Sequence, residues 1–233
     1  MFQNLITSFT YIIKFIVRGI ITFLNKGADM LQKAFFKVDV VDRIYDTPVF
    51  EKTTPGAYEF TIPDGYNYVV VEYAGAAGGR AFNVSDNKPG GVPGNGSILK
   101  ITKKIINRKI TGFVGATPTK GVNTEYLGGV GYENGESSKR VGIILYTGQG
   151  GGGGGSTSVE LNNIINEAGG GSGVCQSPLS IDTAGGKGGG KYGGAKTFDV
   201  NNGNNATDPN QIGLNSGNGY VKIWAGYDPY FKG

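Results

Sequence analysis

From residue 3 to residue 36 the apolar positions recur at helical spacing. Ile6, Phe9, Ile13, Ile16, Ile20, Phe23, Gly27, Met30 and Ala34 are separated by alternating steps of three and four, the pattern of a helix seam. Leu5, Ile12, Val17, Leu24 and Leu31 widen that stripe, while Thr7, Lys14, Arg18, Asn25, Asp29 and Lys33 fall on the opposite side. The spacing predicts an amphipathic helix of roughly nine turns.

Beyond it the period changes to two. Lys37–Asp42 reads as a strand or an extended connector. Tyr58–Ile62 alternates as a strand, Pro63-Asp64-Gly65 turns it, and Tyr68–Tyr73 follows. Ile98–Thr102 and Lys109–Val114 predict a hairpin around Lys103–Arg108. Val141–Tyr146 and Tyr220–Trp224 are further β runs, with shorter ones at Ser158–Glu160 and Ile164–Asn166. Short strands with long connections predict an antiparallel sandwich or jelly roll. The expected fold class is therefore α+β, mainly β: a long N-terminal amphipathic helix followed by an antiparallel β-sandwich.

Glycine sharpens the division. Of 233 residues 43 are glycine, yet only Gly19 and Gly27 fall within residues 1–50. That shift places a boundary near 45–55, where Thr53-Thr54-Pro55-Gly56 reads as a turn. The expected organisation is an amphipathic oligomerisation helix over 1–36, a connector over 37–55 and a glycine-rich β domain over 56–233. The glycines cluster at Gly75–Gly79, Gly90–Gly96, Gly128–Gly135, Gly148–Gly155, Gly169–Gly173 and Gly185–Gly194. Without a strict third-residue period they exclude collagen. At 38% hydrophobic and 11% aromatic residues, the chain has enough apolar material for a core. Two arrangements can order such runs: tight turns with positive φ, or polyproline-II-like segments packed side by side and exchanging N–H···O=C bonds. Clusters that each return to a strand favour the second for at least some of them.

The N-terminal stripe admits several partners. A transmembrane span needs about 20 mostly apolar residues, and Lys14 and Arg18 interrupt the best window. No basic n-region with a short apolar core and small-residue cleavage site marks a cleavable signal peptide. Four basic residues against Asp29 alone in residues 1–36 are compatible with docking on an anionic membrane surface. Packing back on the chain's own domain is the plainest reading. Self-association is preferred, because the stripe is too long for one small β domain to cover. The seam Ile6, Phe9, Ile13, Ile16, Ile20, Phe23 and Met30 would carry it.

The block Gly65-Tyr-Asn-Tyr-Val-Val-Val-Glu-Tyr-Ala-Gly-Ala-Ala-Gly-Gly79 resembles the opening strand and first glycine cluster of the glycine-rich domain family. Ile110–Ala116, Gly148–Thr157 and Gly217–Ile223 resemble its next strand and exit turn, its central glycine run and its closing strand. Members occur in phage tail-fibre and virion proteins, microbial surface proteins and some animal receptor kinases. The resemblance, over residues 56–224, implies a jelly-roll core carrying polyglycine II helices and implies no enzymatic activity. The chain is more distantly similar to the polyglycine tail-tip adhesins of large phages, which bind the host through loops between glycine helices. Residues 117–140 and 174–183 would be the corresponding loops here.

Catalytic chemistry has little to stand on. With no histidine there is no Ser-His-Asp triad, no Cys-His dyad and no histidine metal site. Cys175, alone, reads as a small semi-buried thiol. Gly75–Gly79 follows a strand as a dinucleotide loop would, but the next segment, rich in Asn, Ser and Asp, reads as loop rather than helix. Gly150–Thr157 lacks the lysine of a phosphate-binding loop. Glu133 and Glu136, near Lys139 and Arg140, read as a solvated turn, and Asp182, Asp199 and Asp208 lack calcium-loop spacing. Lys100, Lys103, Lys104, Arg108 and Lys109 gather on the predicted hairpin, but a net charge of +4 is weak for a nucleic-acid binder. The expectation is a non-enzymatic, self-assembling structural protein with no cofactor, metal or nucleic-acid partner. Its helices would form the core of a filament, tube or appendage, with the glycine-rich domain outside, at a cell surface, on an extracellular appendage or in a virion. Its partners would be copies of itself. The alternatives are an adhesin anchored by its helix, taking a receptor or glycan, and a protein docked on an anionic membrane surface.

Overall fold

The computed structural model describes residues 47–83, 88–120, 126–138, 140–143, 146–149, 151–175, 184–228 and 230–233. The expected helix over 3–36 and its seam, Ile6, Phe9, Ile13, Ile16, Ile20, Phe23 and Met30, lie outside these residues. Among the described residues none is helical, and the fold is all-β, which corrects the α+β expectation. A three-four spacing establishes amphipathicity, but Gly19, Gly27 and the β-branched pairs Ile12-Ile13, Ile16-Val17 and Ile20-Ile21 have low helix propensity.

The compact unit spans Pro48–Gly233. Five strands form its first sheet: β1 (Phe50–Lys52), β3 (Tyr68–Ala74), β6 (Gly96–Lys104), β14 (Gly213–Asn215) and β15 (Tyr220–Gly226), in the order β1-β15-β3-β6-β14. The second holds β2 (Gly56–Thr61), β7 (Lys109–Val114), β12 (Thr157–Leu161) and β13 (Ile164–Ala168), in the order β13-β12-β7-β2. All their pairings are antiparallel. Smaller ladders join β4 (Ala81–Asn83), β5 (Lys88–Gly90), β10 (Arg140–Ile143) and β11 (Tyr146–Gln149), and β8 (Thr119–Lys120) with β9 (Tyr126–Leu127). The single β run expected over Val141–Tyr146 is thus two strands, paired with Ile143 opposite Tyr146.

The period of two sends alternate side chains into one core shared by the two large sheets. Val69, Val71, Tyr73, Leu99, Val221, Ile223 and Ala225 come from the first; Tyr58, Ile110, Val114, Val159, Leu161 and Ala168 come from the second. On the other face of the first sheet, Glu51, Lys222, Glu72 and Lys100 stand in register across four strands, and Lys222 Nζ lies 3.3 Å from Glu51 Oε1.

The expected hairpin of β6 and β7 does not form. β6 pairs with β3 and β14, whereas β7 pairs with β2 and β12. The connection instead carries the chain from one sheet to the other. Two local contacts explain the crossing: the Ile105 amide donates to Asn67 O at 2.9 Å, and Ile105 packs against the core.

Candidate functional site

The feature that sets this domain apart lies at one end of the sandwich, where the glycine clusters leave their strands and pack together. Its centre is Gly151–Ser156, which leads directly into β12. Every carbonyl of this segment accepts a backbone N–H. In order from Gly151 to Ser156, the donors are Gly186, Gly79, Gly129, Gly189, Ala76 and Tyr132. Its own amides donate outward: Gly151 to Val174 O, Gly153 to Glu136 O, Gly154 to Gly171 O, Gly155 to Ala116 O and Ser156 to Glu133 O.

The bonds repeat every third residue. Gly151 and Gly154 donate to Val174 and Gly171, Gly153 and Ser156 to Glu136 and Glu133, and Ala76 and Gly79 donate back to Gly155 and Gly152. Three residues per turn, with successive residues bonded to different neighbours, describes extended helices laterally bonded in a bundle rather than a sheet. Gly169–Val174 repeats the arrangement one position over. Gly170 and Gly173 donate to Gly189 and Gly186, and Gly171 and Val174 to Ala76 and Gly79. Of the two arrangements open to the glycine runs, packed segments are the one adopted here.

Close approach is what demands glycine. A Cβ on Gly154 would overlap the Ala76 and Ala77 carbonyl oxygens, and one on Gly173 would overlap the Gly151 carbonyl. Gly190, at φ +88°, turns the chain back into the bundle, with its amide neighbours Gly189 and Gly193 bonded to Gly154 O and Gly190 O. Burial closes the set, since Gly151–Ser156 and Gly169–Cys175 are buried throughout. Buried backbone groups that are paired cost little, and all six carbonyls of Gly151–Ser156 and five of its amides are, so the run is ordered by backbone bonds.

Side chains secure the rim. Glu136 holds the 185–197 segment in place: its Oε2 accepts the Lys187 amide at 3.1 Å, and its Oε1 meets Lys196 Nζ at 2.9 Å. Burial raises the Glu136 pKa, but the Lys196 and Lys187 contacts together outweigh that and hold it below the usual carboxylate value. Ser172 Oγ accepts the Asn204 amide at 2.7 Å, tying 201–206 to the bundle. Ser156 Oγ accepts the Glu133 amide at 2.9 Å.

The outer segment presents apolar groups to solvent: Leu127, Val130 and Tyr132 are 48%, 55% and 49% exposed. Away from the bundle, Asn107, Lys109, Thr111, Glu160 and Asn163 line a shallow polar cleft of about 270 Å³ on the solvent face of β7 and β12. Asn162 and Asn163 at its rim both take left-handed conformations, φ 53° and 63°. The Asn162 side chain accepts the Ile106 and Asn107 amides, each at 3.0 Å, and donates to Lys104 O at 2.8 Å.

The sequence-predicted residues fall into place unevenly. Glu133 and Glu136 stand on the bundle, and Glu136 pairs with Lys196 rather than with its sequence neighbours. The basic residues expected on one hairpin are divided between the sheets, Lys100, Lys103 and Lys104 on β6 and Lys109 on β7. Arg108 Nε lies 3.4 Å from Asp64, and Lys109 Nζ 2.9 Å from Glu59. Cys175 is a buried thiol outside any disulfide. Asp199 and Asp208 accept the amides of Asn201 and Asn210, at 2.7 and 2.8 Å, within their own loops. Asp182, residues 121–125, Lys139 and 176–183 lie outside the described residues. No group of three or more acidic or thiol side chains able to hold a metal occurs among the described residues. Sequence reasoning missed Glu167, whose place in the β13 alternation looks like that of any surface glutamate.

Scanning the chain against protein-family models gives no match, and a search of curated proteins gives none.

Proposed function

We propose that the chain is a non-enzymatic structural protein that assembles with copies of itself and displays the glycine-bundle domain as its rigid outer part. One observation carries this reading: the buried glycine segments bond to one another laterally through their backbone groups, so the domain's most distinctive feature is architectural. A bundle of this kind supports loops on a rigid scaffold. The assembly determinant is assigned to residues 1–36, which concentrate the large apolar residues Ile6, Phe9, Ile13, Ile16, Ile20, Phe23 and Met30. Electron microscopy of the full-length protein tests it. Ordered filaments or tubes, lost when Ile13 and Ile20 are both changed to Asp, are the expected outcome. Monodisperse particles at every concentration contradict it.

A second reading, a surface adhesin, draws support from the solvent-facing Leu127, Val130 and Tyr132 on the outermost bundle segment. Small discrete oligomers that bind whole cells or arrayed glycans, with binding reduced by Tyr132→Ala, would favour it over a filament.

A further inference from the structure

Glu167 is the fourth residue of β13 and stands opposite Ser158 in the β12–β13 hairpin. Its carboxylate lies against the turn at Gly190. A Cβ added there would stand 3.0 Å from Glu167 Oε1 and 3.1 Å from the Ser156 Cβ. Oε1 is shut off from water and has no hydrogen-bond partner among the described residues. The groups facing the carboxylate can be named element by element. Ser156, just before β12, and the Lys191 backbone amide favour its charged form, and Glu133 faces it from the outer segment as a second negative charge. The Lys191 ammonium lies 4.9 Å from the centre of the Tyr192 ring, and the Tyr192 phenol is the other titratable group of that turn. A half-buried carboxylate with one enclosed, unpartnered oxygen is costly to keep charged, and the cost falls when a proton neutralises it.

We propose that Glu167 is an acid-set latch: neutral, it holds the Gly190 turn against β13, and ionised, it loosens that seam. Burial, the largest influence, and the Glu133 carboxylate both raise its pKa, while Ser156 and the Lys191 amide oppose them without cancelling the rise. The sign follows from linkage. A carboxyl whose folded pKa lies above its unfolded value contributes its full stability in acid. That contribution falls as pH climbs from the ordinary carboxyl range through the raised value. The bonds that would report loosening are Gly189 to Gly154 O and Gly194 to Gly170 O, through which the turn joins the bundle.

The test uses the full-length protein and two readouts. Carbon-detected NMR titration of the wild-type Glu167 carboxyl should give a midpoint above the ordinary glutamate value of about 4.3. Thermal unfolding should show Glu167→Gln matching wild type near about pH 4 and melting higher near about pH 8. In wild type, exchange at Gly189 and Gly194, corrected for the intrinsic effect of pH, should be several-fold faster at the higher pH; in Glu167→Gln it should not change. An ordinary titration midpoint, or a variant destabilised equally at both pH values, overturns the proposal. The wild-type titration decides the matter even if the variant fails to fold.

Discussion

A methyl group is enough to separate packing glycines from incidental ones. Gly173→Ala or Gly154→Ala would drive a Cβ into a backbone carbonyl that cannot rotate away. Either should cost about 3 kcal/mol or more, at the upper end of overpacking. At Gly217 nothing lies within 4 Å of the added atom, and its φ is not positive. Gly217→Ala should therefore lie within about 0.5 kcal/mol of wild type, and chemical denaturation measures all three. A second residue-scale prediction concerns Glu136, whose lowered pKa gives it a pH dependence opposite to that of Glu167. Its contribution is present above the ordinary carboxyl range and lost as pH falls through the depressed folded value. Because the pair with Lys196 is 41% and 45% exposed, Glu136→Gln should cost less than about 1 kcal/mol. That loss should vanish in acid, where wild type is protonated too. Melting curves across pH separate the two carboxyls by the sign of the variant's effect. Neither role was legible in the sequence, because an acid in a loop and an acid in an alternating strand carry no mark of what will pack over them.

Elements were read better than residues wherever period two ran for five residues or more. Lys109–Val114 was expected and observed with identical bounds, and Tyr68–Tyr73 and Tyr220–Trp224 each grew at the ends. β1, β8, β9 and β14 escaped because two or three residues are too few to show a period. The β6–β7 connection was misread for a different reason. Its turn residues suit a hairpin as well as a crossing, and the choice is made by Ile105 entering the core and by Asn67, distant in sequence. The clearest element-scale prediction lies in the β12–β13 hairpin. Asn162→Ala removes the acceptor of two amides and the donor to Lys104 O, and should cost about 1–3 kcal/mol. Asn163→Gly relieves a left-handed asparagine and should stabilise by up to about 1 kcal/mol. Thermal melts of the two variants should move in opposite directions.

At the scale of the whole molecule, uneven glycine usage pointed to packed extended segments, but not to the partners of each segment. Distribution along the chain says where extended segments lie. It cannot say that Gly151–Ser156 is the segment around which the others gather, because that depends on contacts among stretches far apart in sequence. The bundle gives the domain an unusual source of rigidity. Glycine is ordered by lateral backbone bonds rather than by side chains, so those bonds and the close backbone packing must offset the conformational entropy it loses. Rigidity of this kind requires that those bonds persist in solution. Native-state hydrogen exchange on the full-length protein, resolved at the amides of Gly151, Gly153, Gly154, Gly170, Gly171 and Gly173, tests this most directly. The account predicts opening free energies at these amides comparable to those of Val71 and Val159 in the two sheets, close to the global stability of the domain. Exchange at the rate of an unfolded glycine-rich chain, while the sheets stay protected, would contradict it.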